Sequence, residues 1–137
     1  MKLKTKAPKL MSGSLWFIKE NENPSTLKEF KNTIDKNEPT AQLSRGNIIP
    51  KNKKIQQRLI FDCFRPKYEE SLSFRLFLYE DGKVQGKIEY PIHYDASEEY
   101  FKGNYKLNSK SKISVWGKWS EDKDYKKTYL IYIELTR

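Results

Sequence analysis

The chain has 137 residues, 36% apolar and 14% aromatic, with a net charge of +9. That is enough chain to bury a core without staples, its single cysteine precludes an intramolecular disulfide, and no apolar run is long enough to span a bilayer. Residues 1–9 and 45–58 carry nine Lys and Arg and no acid, so the other 18 of the 27 basic residues balance the 18 acidic ones.

Residues 1–12 read as a basic flexible tail, with Lys2, Lys4, Lys6 and Lys9 and no apolar segment behind them. That start and the lone Cys63 make the reducing cytoplasm the expected location. Residues 13–137 read as one domain. Ser14 to Ile18 is expected to be a first strand. Pro24-Ser25-Thr26 opens a short helix, with Thr26 and Glu29 spaced as a capping box and Leu27, Phe30 and Ile34 on one face. From Asp35 to Lys54 the chain reads as irregular, broken by Pro39, Gly46 and Pro50, with only a brief pairing at Asn47–Ile49. The basic loop about 45–58 lies here, and Gln56 to Phe64 is a further strand, ended by Arg65-Pro66.

The rest of the chain alternates. Leu72, Phe74, Leu76 and Leu78 lead through Glu80-Asp81-Gly82 to Val84, Gly86, Ile88, Tyr90 and Ile92, a strong hairpin pattern. Pairing Leu78 with Val84 sets Leu76 opposite Gly86. Phe101, Gly103, Tyr105 and Leu107 then face Ile113, Val115, Gly117 and Trp119, so that Gly103 falls opposite Gly117 and Phe101 opposite Trp119. Tyr129, Ile131, Ile133 and Leu135 complete the set, with Gly117 facing Ile131. A one-residue slip would turn this entire face to water, so the register is well specified. Glycines inside strands mark bends or close approaches. The predicted fold is an all-β antiparallel meander of about seven strands, forming a small barrel or strongly curved half-barrel, with one short N-terminal helix.

Gly13-x-x-Trp16 in the first strand, the short helix, and Gly117-Lys118-Trp119 before a Tyr/Ile strand together resemble the calycin barrels, the lipocalins and their relatives. The spacing has one residue more than the family's usual Gly-x-Trp. The resemblance covers most of the chain as a pattern and implies a barrel; it carries over no ligand-contacting residue.

Chemistry-bearing motifs are sparse. The sole histidine, His93, and Cys63 do not make a zinc site by themselves, and no metal or cofactor is expected. A Cys63–His93 nucleophilic pair is conceivable, but Cys63 lies mid-strand with Leu59 and Phe61, where a core cysteine is expected. The carboxylates cluster at Glu69-Glu70, Glu80-Asp81, Asp95/Glu98-Glu99 and Glu121-Asp122/Asp124, all in predicted turns or strand ends, where turn chemistry accounts for them.

The pattern therefore points to a non-enzymatic binding protein, recognising a protein partner or a small apolar or aromatic ligand through the curved sheet. Tyr90, Phe101, Tyr105, Trp119 and Tyr129 would line the concave side, with Gly103 and Gly117 making room. Trp116 falls opposite Tyr132 on the outer face; the helix would cover this pair, or the pair would form a partner surface. The competing class is a nucleic-acid-binding module using Arg45, Lys51, Lys53, Lys54 and Arg58 with the Lys-rich N-terminus, aided by outer aromatics such as Phe77 and Tyr79. A hydrolase built on turn carboxylates and His93 is a third reading.

Overall fold

The computed structural model describes residues 10–34, 37–49, 57–65, 70–89, 98–109 and 111–137. Its strands are β1 (Leu10–Phe17), β2 (Ala41–Ile49), β3 (Gln57–Arg65), β4 (Glu70–Leu78), β5 (Lys83–Glu89), β6 (Glu98–Ser109), β7 (Lys112–Ser120) and β8 (Tyr129–Thr136); one helix, α1 (Leu27–Ile34), joins β1 to β2. Each strand pairs antiparallel with the next, and β8 returns to β1, closing an up-and-down barrel.

The registers of the second half follow the alternation residue by residue. Leu78 pairs with Val84, Leu76 with Gly86, Gly103 with Gly117, Phe101 with Trp119, and Gly117 with Ile131. The first half departs from expectation. The segment read as mostly irregular contains a full strand, β2, which pairs with both β1 and β3. Its register shifts between Ser44 and Asn47. That bulge moves the inward set from Ala41 and Leu43 to Ile48, so no single alternation runs through the strand. β1 also begins earlier than expected: Leu10 and Met11 pair with Asn47 and Gly46, and Met11 is buried. The end of the expected tail is thus part of the barrel wall. Arg45 and residues 46–49, read as loop, lie in β2, and Arg58 lies in β3.

Inside, one continuous apolar cluster runs from Met11 and Leu15 through Phe61, Phe74, Leu76 and Ile88 to Phe101, Trp119 and Ile133. Phe61 stacks on Phe74 at 4.7 Å, Phe74 meets Trp119 edge-on at 5.3 Å, and Phe17 lies 5.3 Å from the same indole. Eight strands enclose a space that inward side chains just fill. Cys63 belongs to this cluster.

Two facing glycines bring neighbouring strands close together. A Cβ on Gly103 would lie 2.7 Å from the Cα of Gly117, and one on Gly117 would lie 2.5 Å from the Cα of Gly103. Any side chain here would strike the neighbouring backbone, so the pair lets β6 and β7 close together where the sheet coils.

The helix lies on the outer surface against β8. Its predicted capping box is formed: the Glu29 N–H donates to Thr26 Oγ1 (3.2 Å), and the Thr26 N–H donates to Glu29 Oε1 (3.2 Å). The hydroxyls of Ser25 and Thr26, and then their backbone N–H groups, donate to the Glu29 carboxylate and hold it below its ordinary range. Phe30 is the buried residue of the helix.

Candidate functional site

Outside the barrel, an open groove of about 730 Å³ lies between the chain leading into α1 and the outer wall of β5–β8. It falls within the range of small-molecule sites, about 300–1,000 Å³. Asn23, Pro24, Ser25 and Phe30 form one side, and Tyr79 and Asp81 of the β4–β5 turn close one end. The wall contributes Trp116 and Leu130 as its apolar centre, with Lys83, Gln85, Lys102, Asn104 and Lys118 around them. Gly103 and Gly117 also reach its lining.

Strand alternation explains this composition. Val84 and Phe101 point inward, so Lys83, Gln85, Lys102 and Asn104 point outward. Asn104 pairs with Trp116, and Lys102 with Lys118, on either side of the glycine pair. The Lys102 ammonium lies 4.2 Å from the centre of the Tyr125 ring. Tyr125 sits in the β7–β8 loop at φ 53°, and burial pushes its phenol above the ordinary value of 10.0. At the turn end, Tyr105 donates its hydroxyl to the Tyr79 carbonyl (2.8 Å), and burial followed by the Asp81 and Glu80 charges raises its pKa.

Trp116's cross-strand partner on the outer wall, Tyr132, is covered. Tyr132 pairs across the sheet with both Trp116 and Trp16, is fully buried, and lies 5.7 Å from the Trp16 ring. Trp16 in turn donates its indole N–H to the Asn37 carbonyl (3.0 Å). The Tyr132 hydroxyl donates to Glu134 Oε2 (2.8 Å) and lies 3.0 Å from Ser114 Oγ, which accepts from Asn108 Nδ2 at 2.7 Å. Lys112 pairs with Glu134 at 3.1 Å. Burial drives the Tyr132 phenol well above its ordinary range.

The residues expected on the concave face are placed as follows. Phe101 and Trp119 are buried in the core, where the Trp119 indole N–H donates to Glu99 Oε1 (2.7 Å). Tyr105 and Tyr129 are half-buried at the core margin, the Tyr129 ring 6.2 Å from Phe17. Gly103 and Gly117 form the close approach between β6 and β7. Tyr90, His93, Lys51, Lys53 and Lys54 lie outside the described residues, as does the Arg45 side chain. Arg58 pairs with Ile49 and Phe77, and its Nε is buried. Among the described carboxylates, Asp81 accepts from the Lys83 N–H (3.1 Å) and Asp122 from the Asp124 N–H (3.3 Å), as turn residues do. No group of three metal-capable side chains occurs among the described residues.

Sequence reasoning placed Trp116 on this outer face but assigned Gly103 and Gly117 to the concave side, and it passed over Lys83, Gln85, Lys102, Asn104 and Lys118. Their signal was available: the register that sets Gly103 opposite Gly117 also sets Lys102 opposite Lys118. The contributions of Pro24 and Phe30 had no such signal.

The fold is an eight-stranded antiparallel up-and-down barrel, which agrees with the calycin architecture at the level of strand number and closure. No family model, curated protein or solved structure matches the chain. No helix among the described residues is long and apolar enough to cross a membrane.

Proposed function

We propose that this protein is a non-enzymatic binding protein that holds an aromatic or apolar group, from a small ligand or a partner, against Trp116 in the outer-wall groove. The observation that carries this reading is the position of Trp116. It is half-buried in the wall of an open groove, with Leu130 and Phe30 as apolar neighbours and polar side chains at the margin. Ligand sites combine an apolar centre with a few polar groups in this way.

The sequence placed the ligand on the concave face. The tight aromatic packing among Phe61, Phe74, Phe17 and Trp119 favours the convex face instead. The groove's charged side chains are Asp81, Lys83, Lys102 and Lys118, a set suited to recognising charge beside an aromatic group.

The dye anilinonaphthalene sulfonate, an aromatic anion, tests the reading. The folded protein should enhance its fluorescence and Trp116→Ala should lose most of that enhancement. Equal enhancement by both proteins rules the groove out.

A further inference from the structure

Two cross-strand rows meet at this groove. In the first, Arg58, Phe77, Gln85, Lys102 and Lys118 are consecutive partners from β3 to β7. Their inward neighbours Leu59, Leu76, Val84 and Phe101 are buried, so the whole row faces outward. In the second, Lys83, Asn104 and Trp116 are consecutive partners on β5, β6 and β7. Four inter-strand steps of about 4.8 Å carry the first row roughly 19 Å around the wall.

The charges along these rows are not balanced locally. Lys102 and Lys118 are directly opposed, an arrangement that is unfavourable in a sheet. Among the described residues, the ammonium groups of Lys83 and Lys118 form no ion pair, whereas the next outward row is neutralised by Arg75–Glu89 (3.4 Å) and Lys87–Glu98 (3.2 Å). Three lysines therefore line the groove against one carboxylate, Asp81. Half-buried Trp116 adds an aromatic face in the groove, and Phe77, 39% exposed, adds another further along the first row, between Arg58 and Gln85.

From this juxtaposition we infer that the occupant is single-stranded nucleic acid, its bases stacked on Trp116 and Phe77 and its phosphates on Lys83, Lys102, Lys118 and Arg58. This rests on the groove reading proposed above and names its ligand class. A cationic track with interspersed aromatics is what single strands require. A duplex keeps its bases stacked on each other and offers none to an indole on an outer wall.

The test is titration of a labelled oligo(dT) and a labelled oligo(rU), each of about 12 nucleotides, at about 50 and about 200 mM salt. Poly-L-glutamate serves as the acidic-polymer comparison. Three or four phosphate contacts give a salt slope of about −2 to −3, or roughly a 20- to 50-fold weakening over that range. Lys102→Gln/Lys118→Gln should reduce the slope by about 1.4, and Trp116→Ala should weaken binding by about tenfold. Lys28→Gln/Lys31→Gln, on exposed helix positions, should leave both unchanged.

Absence of oligonucleotide binding overturns the inference, as does poly-L-glutamate binding of equal strength, which would mark the surface as one for acidic proteins. Equal losses in the helix variant overturn it too. If the dye still binds through Trp116 while oligonucleotides do not, only the nucleic-acid assignment falls; if neither binds, the groove reading falls with it.

Discussion

Trp116 and Trp119 lie three residues apart on β7 and serve opposite sides of the barrel. An odd offset along a strand sends side chains to opposite faces. Trp119, 3% exposed, locks into the interior between Phe17 and Phe74 and satisfies its N–H on Glu99. Trp116 stands half-buried in the outer wall among lysines. The same residue type thus fills a core on one face and lines an open groove on the other. What separates the two roles is the company each keeps: Trp119 has close-packed aromatics on several sides, whereas Trp116 has a groove on one.

The sharpest way to break this contrast is to truncate each indole in turn. Trp119→Ala should lower unfolding stability by about 3–5 kcal/mol in urea denaturation, and Trp116→Ala by about 1 kcal/mol or less. Equal losses would mean that the two faces are not energetically distinct.

A smaller effect is expected at the glycines that join the faces. Gly117→Ala drives a Cβ into the β6 backbone and should cost about 1–3 kcal/mol. Because Trp116 and Lys118 flank it, dye binding in the groove should weaken as well. Unchanged stability would show that β6 and β7 tolerate separation here.

The smallest effect concerns the covered part of the outer wall, around Tyr132. Tyr132→Phe removes its bonds to Glu134 and Ser114 and should cost about 1 kcal/mol. Burial raises the folded-state pKa of this phenol above its ordinary 10.0. The folded chain therefore retains the proton longer than the unfolded chain. This contribution to stability is complete below about pH 10 and is lost as pH rises further. An absorbance titration should show late-ionising tyrosines, with the latest component missing in Tyr132→Phe. Titration of every tyrosine at the ordinary value would mean that the wall is open to water at Tyr132.

The sequence by itself determined the second half of the barrel. From Leu72 to Leu135 the alternation of apolar and polar residues has a period of two, and the cost of exposing that face fixes each partner, down to Gly103 opposite Gly117. It also determined the helix cap, because Thr26 and Glu29 satisfy each other locally. The strand β2 was not legible, since the bulge near Gly46 changes which residues face inward and only pairing with β1 and β3 reveals the strand. Of the groove, the wall residues followed from register, while its other side did not. That side exists because the chain from Asn23 to Phe30 folds back over the outer wall, bringing together residues far apart in sequence. Barrel closure was likewise a tertiary decision: the β1–β8 pairing that removes the last open edge joins the two ends of the domain, and no local pattern records it.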